Sequence, residues 1–161
     1  MVYIKIGKIV NTHALKGEVR IISNFEYKDR VFKVGNILYV GQLKTPLEIE
    51  SYRVHKQFDM VKFVGIDYIN DVLKYKGSNV YFNEDDLNLN DNELLNSDFP
   101  LMELYNDKSY VGKIEEYRCD NGNEMIRVNG KYIPYNKDFI ERIDKANKKI
   151  YMHDIGVFLW E

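Results

Sequence analysis

The chain has 161 residues, 45% of them hydrophobic and 30% charged, a make-up expected of a soluble globular protein rather than a disordered or membrane one. Its formal net charge of -2 hides an asymmetry, because residues 1–83 carry 13 Lys/Arg against 8 Asp/Glu and residues 84–161 carry 10 against 17. The two halves are therefore expected to face different partners, with RNA phosphate the natural counterpart of the basic one. No apolar run approaches the ~20 residues that cross a bilayer. The opening MVYIKIGKIV lacks the apolar block of a secretory signal, so a cytoplasmic protein with no membrane partner is expected.

In chain order, VYIKIGKIV and EVRIIS alternate apolar and polar residues as half-buried strands do. Between them NTHALKGEVR puts His13, Lys16, Glu18 and Arg20 around a turn, where Gly17 admits a backbone conformation closed to side-chained residues. ILYV, LEIESYRV and DMVKFVGI follow as strands, punctuated by Gly35-Asn36, Gly41 and Thr45-Pro46. Five or six short antiparallel strands in about 80 residues bury both faces only by closing into a barrel. NDVLKYKG, residues 70–77, predicts a short helix with Asn70 as N-cap and Gly77 at its end, and SNVYF, residues 78–82, the strand that finishes the domain.

Residues 83–98, NEDDLNLNDNELLNSD, hold six acidic side chains and no basic one, which predicts a linker over 84–97. Beyond it MELY, YVGKIEEYRC, EMIRV and KYIPY predict strands, with turns at Asp120-Asn121-Gly122 and Asn129-Gly130. Residues 137–144 predict one helical turn and KKIYMHD a last strand. The fold class expected is all-β, two small antiparallel barrels with one or two short helices.

Little in the chain points to reaction chemistry. Cys119 is the single cysteine, cannot form an internal disulfide, and is expected to be a partly buried hydrophobe. His13, His55 and His153 show no metal-ligand spacing, and no P-loop, G-x-G-x-x-G or G-x-S-x-G motif is present. Carboxylate pairs such as Glu48/Glu50 and Glu115/Glu116 read as solvated strand faces. We therefore expect no enzyme, no catalytic residue, no metal and no cofactor. Two polar constellations remain: His13, Lys16 and Arg20 on the first turn, and Arg53, His55 and Lys56 beside Tyr52 and Phe58 in YRVHKQFDMVKF. Cations next to aromatic rings suit RNA phosphates and bases. The same composition also suits an exposed hairpin end that carries solubilising charge.

Taken in order, GKIVNTHALKGEVRI, RVHKQFDMVKFVGIDYINDVLKYKGSNVYF, VGKIEEYRCDNGNEMIRV, YIPYNKDFIERIDKANKKIYM and DIGVF resemble the RimM family of bacterial ribosome maturation factors, from Ile6 to Phe158. The resemblance implies an N-terminal six-stranded barrel of translation-factor type over 1–83 and a C-terminal PRC-barrel over 98–161. It further implies a non-catalytic, monomeric factor that binds the immature small ribosomal subunit. Small-subunit ribosomal protein nineteen would be held largely by the C-terminal half, and head maturation and processing of the ribosomal RNA precursor would be assisted. On that footing His13, Lys16, Arg20, Arg53, His55 and Lys56 are the candidate RNA- or ribosome-contacting residues, as solvent-facing members of family-like blocks. Glu18 is expected to pair internally with a cation. Phe99, Pro100, Tyr135 and Phe139 are the candidates for docking a basic ribosomal protein, with core packing at least an equal reading for Tyr135 and Phe139.

Two departures from the family stand out. Ala14 replaces the glycine that usually follows the histidine. At the linker exit the family's aromatic pair is missing: Leu94, Leu95, Asn96 and Ser97 precede Asp98-Phe99-Pro100-Leu101, so that Phe99 is the aromatic there and Leu101 takes the place of a turn glycine. A general RNA-binding module acting on another RNA is the alternative reading. A flavin-type barrel enzyme is disfavoured by the absence of any ligand-gripping glycine-rich motif.

Overall fold

The first alternating stretch becomes one long strand, β1 (Tyr3–His13), that serves two neighbours in turn. Tyr3 to Lys8 pair with β6 (Asn79–Asn83), and Lys8 to His13 pair with β2 (Glu18–Ile22). Register shifts between Lys5 and Gly7 and between Ile9 and Asn11 let the strand bend between the two pairings, as bulges do. With β3 (Ile37–Val40), β4 (Thr45–His55) and β5 (Phe58–Phe63) these strands form a closed antiparallel barrel in the order β1-β2-β5-β4-β3-β6. This computed structural model describes residues 1–13 and 16–159. It divides into two units, Met1–Asn88 and Leu89–Glu161.

Inside the barrel Ile9, Val19, Ile21, Leu38, Ile49, Val61, Phe63 and Val80 are buried without residue, which is why strict alternation was visible in the sequence. One charge shares that interior. Asp59 is 2% exposed; Lys28 of a short helix α1 (Lys28–Val31) lies 2.8 Å from it, and the Tyr52 hydroxyl donates to it at 2.6 Å. Tyr52 in turn stacks on Phe32, ring centres 5.4 Å apart. A buried carboxylate persists only where its partners replace water, and α1 supplies one of them. Burial, with the bond to Asp59 second, pushes the Tyr52 phenol well above its ordinary value of 10.

The helix expected over 70–77 is shorter and starts earlier. It is α2 (Ile69–Val72) followed by a 3₁₀ turn at Leu73–Tyr75, and Tyr68, not Asn70, is the capping residue, without a side-chain capping bond. An uncapped single turn propagates poorly, and what holds this one is Val72, fully buried.

The second unit is a six-stranded sheet, β10-β9-β8-β7-β12-β11, built from β7 (Glu103–Asn106), β8 (Ser109–Asp120), β9 (Asn123–Val128), β10 (Lys131–Pro134), β11 (Ile140–Asp144) and β12 (Lys149–Met152). Its turns are those expected: Asn121-Gly122 and Asn129-Gly130 both have two successive positive φ angles, as two-residue hairpins require. Two expectations are corrected. The sheet is not antiparallel throughout, because β12 lies parallel to β7. A parallel neighbour needs a long crossover, and here residues 107–148 provide it. The helical turn expected over 137–144 is a 3₁₀ turn at Lys137–Phe139 followed by strand β11.

All six strands contribute to one core, which includes Leu104, Ile114, Ile126, Ile133, Ile143 and Ile150. The acidic stretch is shared between the units: Glu84–Leu87 is a 3₁₀ turn that buries Leu87 in the first, and Leu94 belongs to the core of the second. Leu101, where the resemblance places a glycine, has φ +73 and is 69% exposed. Its side chain therefore sits on a left-handed backbone without burial to offset the strain. Ala14 lies outside the described residues.

Candidate functional site

The two polar constellations, some forty residues apart in sequence, meet because β1, β2, β5 and β4 are consecutive in the barrel. Register fixes the arrangement: His13 lies opposite Glu18, Arg20 opposite Asn11 and Met60, Arg53 opposite Met60, and His55 opposite Phe58. Directly opposed residues point to the same face, and Val19, Ile21 and Val61, which alternate with them, fill the interior. His13, Glu18, Arg20, Arg53, His55 and Phe58 therefore share the outer face at one end of the barrel. Met60 belongs to that face too, yet it is wholly buried between the in-register arginines, Arg20 and Arg53.

Contacts within the patch are specific. An Arg20 guanidinium nitrogen lies 2.7 Å from His13 Nδ1, and its carbon sits 5.5 Å from the centre of the Phe58 ring. Arginine only donates, so His13 Nδ1 accepts and the neutral ring carries its proton on Nε2. The His13 and His55 rings lie 6.0 Å apart. Arg53 grips Glu18 through both carboxylate oxygens, Nε to Oε2 at 3.0 Å and Nη2 to Oε1 at 2.7 Å. That bond is the main reason the Glu18 carboxyl is held below its ordinary value of 4.5. Lys16 and Lys56 are exposed at the tips of the two adjacent hairpins, Lys56 with φ +55 in its turn. Gly17 has φ +85, and a Cβ there would lie 2.9 Å from the Ile66 carbonyl oxygen, so the first hairpin admits no side chain at this point.

The structure thus brings all six residues of the first set to one surface. It also changes what they offer. Arg20 is half-buried, not solvent-facing: packing between His13 and Phe58 leaves its Nε buried and without a hydrogen-bond partner among the described residues. Arg53 is committed to Glu18, the internal pairing expected for that carboxylate. Lys16 and Lys56 are left as the outward charges, and His13 and His55 as the half-exposed hydrogen-bonding groups between them. Phe58 stood out in the sequence beside the basic cluster, whereas Met60, buried between the arginines, was hidden inside an ordinary strand pattern.

The second set is corrected more strongly. Phe99 is 3% and Tyr135 9% exposed; the Phe99 ring stacks on Tyr117 at 4.4 Å and meets Tyr135 edge-on at 5.0 Å. Phe99 and Tyr135 are core, members of the buried cluster to which all six strands contribute. Phe139 packs partly buried beside the rings of His153 and Phe158, and Pro100 alone of the four is exposed. Cys119 is exposed too, contrary to expectation, since it lies near the β8–β9 hairpin tip opposite Glu124. Among the described residues no group of three or more His, Cys, Asp or Glu side chains is placed to hold a metal, and no helix is long and apolar enough to cross a membrane.

A closed six-stranded barrel with a cationic, imidazole-bearing end, followed by a second all-β unit, defines a two-unit β protein. Residues 4–87 match the family model described as the RimM N-terminal domain. The ribosome maturation factor RimM of Staphylococcus haemolyticus is 39% identical over 155 residues, covering 91% of this chain and 93% of the relative. That of Ligilactobacillus salivarius is 36% identical over 160 residues, covering 93% and 95%. The solution structure of the RimM N-terminal domain from Thermus thermophilus, 20% identical, covers 55% of this chain and 98% of that one with a TM-score of 0.48. The chain belongs to the RimM family.

Proposed function

We propose that this chain is a non-catalytic, cytoplasmic assembly factor for the small ribosomal subunit. In this reading the patch on the first unit lies against ribosomal RNA, while the second unit holds small-subunit ribosomal protein nineteen. The factor thereby favours maturation of the subunit head and processing of the RNA precursor. Membership of a family whose relatives carry the name ribosome maturation factor supports the setting. The single observation that carries the RNA assignment is the assembly of Lys16, Lys56, His13 and His55 on one barrel end by strand register. Lysines at hairpin tips are suited to backbone phosphates, which contribute affinity and position more than sequence choice. The 14 Asp/Glu against 10 Lys/Arg of residues 89–161 suit a basic protein partner, mainly by speeding association. Such a factor needs no fuel beyond a difference in affinity between competing assembly states.

Lys16→Ala with Lys56→Ala tests the RNA assignment, because both residues are exposed and the double change leaves the Arg53–Glu18 and Arg20–His13 contacts in place. Co-sedimentation of the variant with immature small subunits should fall several-fold while the melting temperature stays constant. Unchanged co-sedimentation would defeat the assignment. For the protein partner, hydrogen exchange of the full chain mixed with ribosomal protein nineteen should show new protection within residues 89–161; protection confined to 1–88 would reverse the division of labour.

A further inference from the structure

A second surface of unusual composition lies on the sheet of the second unit, away from the residues so far given a role. Across β8, β7, β12 and β11, strand register aligns Tyr110, Tyr105, Tyr151 and Arg142 in one row. The next row inward in sequence, Gly112, Leu104, Ile150 and Ile143, belongs to the buried side. The aromatic row is therefore on the outer face. Tyr105 and Tyr151 are stacked with ring centres 4.9 Å apart, the Arg142 guanidinium caps Tyr151 at 4.0 Å, and Tyr110 closes the other end edge-to-face at 5.5 Å. Beyond Leu104 and Ile150 a further outward row reads Lys113, Glu103, Lys149, Asp144, with the Lys149 ammonium 5.4 Å from the Tyr105 ring centre.

Two properties of this face point to a ligand. First, Tyr105 and Tyr151 are locked by stacking and by Arg142, whereas the terminal ring, Tyr110, is 55% exposed and set 66° from the plane of its neighbour. Its ring is thus held at a defined angle by one edge contact and otherwise offered to solvent. Second, the two rows together carry three cations (Lys113, Arg142, Lys149) and two carboxylates, within a unit where acids outnumber bases by 14 to 10. The sign of the local charge is opposite to that of its surroundings. A flat π-system bordered by cations suits a ligand that pairs aromatic faces with anionic links, and a sheet face with in-register aromatics can stack unpaired bases, whose faces a duplex hides.

We propose that this sheet face is a second nucleic-acid site, one that takes an unpaired nucleobase of single-stranded RNA on Tyr110 with adjacent phosphates drawn to Arg142, Lys113 and Lys149. The inference rests on the reading that RNA is a partner of this chain, and it adds a contact on the unit otherwise assigned to protein. It also gives the factor a preference that the lysine tips cannot supply: phosphate contacts accept paired and unpaired RNA alike, whereas a stacking ring discriminates.

The test uses the full chain and fluorescein-labelled ten-nucleotide adenosine oligomers, with a perfectly paired hairpin of equal charge as comparison, in anisotropy titrations at fixed salt. The wild-type chain should bind the single strand more tightly than the hairpin. Tyr110→Ala should weaken single-strand binding about tenfold, within the range that loss of one base stack produces, with little change for the hairpin. Tyr110→Phe should restore binding, because the ring and not the hydroxyl does the stacking. Tyr110 is exposed, so an unchanged melting curve will certify the fold of both variants. Equal single-strand affinity for wild type and Tyr110→Ala, or no wild-type preference for the single strand, would overturn the proposal. So would a Tyr110→Ala variant that loses ribosomal protein nineteen but keeps the oligomer, which would give this face to protein. Unchanged co-sedimentation of the Lys16/Lys56 variant with a positive result here would withdraw the lysine tips as the RNA contact and leave this site standing.

Discussion

The two units use six strands each, and they solve the same problem in opposite ways. The first closes its hydrogen bonding into a barrel with antiparallel pairs alone and tolerates a charge inside, Asp59, held by Lys28 and Tyr52. The second accepts a parallel β7–β12 pair and keeps its described core apolar and aromatic, clustering Phe99, Tyr117 and Tyr135 where the chain enters. In the closed barrel every strand is paired along both edges, and the closing pair joins β1 to β6, so register sets each strand's position and a polar group can be buried in a defined cage. In the second unit four of the five strand pairs join consecutive strands, and only β7–β12 spans a long crossover. The outward surfaces differ accordingly: imidazoles and lysines at strand ends on the first, an aromatic row across strand middles on the second.

The comparison can be broken by substitutions that should be felt in one unit alone. The largest effect is expected from Phe99→Ala, which removes a 3% exposed ring and should destabilise the second unit by about 3–5 kcal/mol. Calorimetry should then show a separate early transition while the barrel's transition stays in place; a common shift would mean that the units unfold together. Asp59→Ala strands the Tyr52 hydroxyl and removes the partner of Lys28, and should cost the barrel about 2–3 kcal/mol in urea titration. Tyr52→Phe, which takes away only the donated bond to Asp59, should cost about 1–2 kcal/mol.

Acid and base should act on different units. Glu18 in the barrel has a lowered pKa, so its pairing with Arg53 contributes fully above the unfolded value of 4.5 and is lost as pH falls through the folded value. In the second unit a hydrogen bond to Asp154 raises His153 above its ordinary 6.5; that contribution is complete below 6.5 and disappears as pH rises through the folded value. Arg53→Ala should therefore flatten the acid limb of the barrel's stability curve, with only a small change near neutrality because the pair is partly exposed and screened by solvent. The smallest effect has the opposite sign. Leu101→Gly relieves a left-handed leucine, and after the entropy that glycine adds to the unfolded chain it should stabilise the second unit by about 0.5–1 kcal/mol.

Most strands were legible because one buried face imposes a period of two, and the Asn-Gly turns because few residues accept two successive positive φ angles. β11 was not, since the register shift between Ile140 and Arg142 breaks the alternation in IERID and leaves a pattern that imitates a helical turn. The parallel pairing of β12 with β7 left no local trace, as it is decided by packing across some forty intervening residues. For the candidate site, the residue types were readable and their assembly was not. His13 and His55 stand 42 positions apart and at no ligand spacing, and only the order β1-β2-β5-β4 brings their rings to 6.0 Å. Phe99 was misplaced for a related reason: nearness to a polar segment in sequence says nothing of which way a ring packs, and for Tyr135 it was the core reading that held.

The divided pairing of β1 has a bearing on how the protein is made. Its distal half, Lys8 to His13, meets a neighbour only a few residues later, so the hairpin that displays His13 and Lys16 is complete soon after residue 22 leaves the ribosome. Its proximal half, Tyr3 to Lys8, waits for Asn79–Asn83, the last strand of the unit to be synthesised. During elongation this hairpin is thus assembled while the opposite seam is still open, and an unpaired strand edge is a hazard for as long as it persists. The barrel is sealed by one half of β1 meeting the last strand of its own unit, so a segment translated before the rest of the barrel is the latest to find a permanent place.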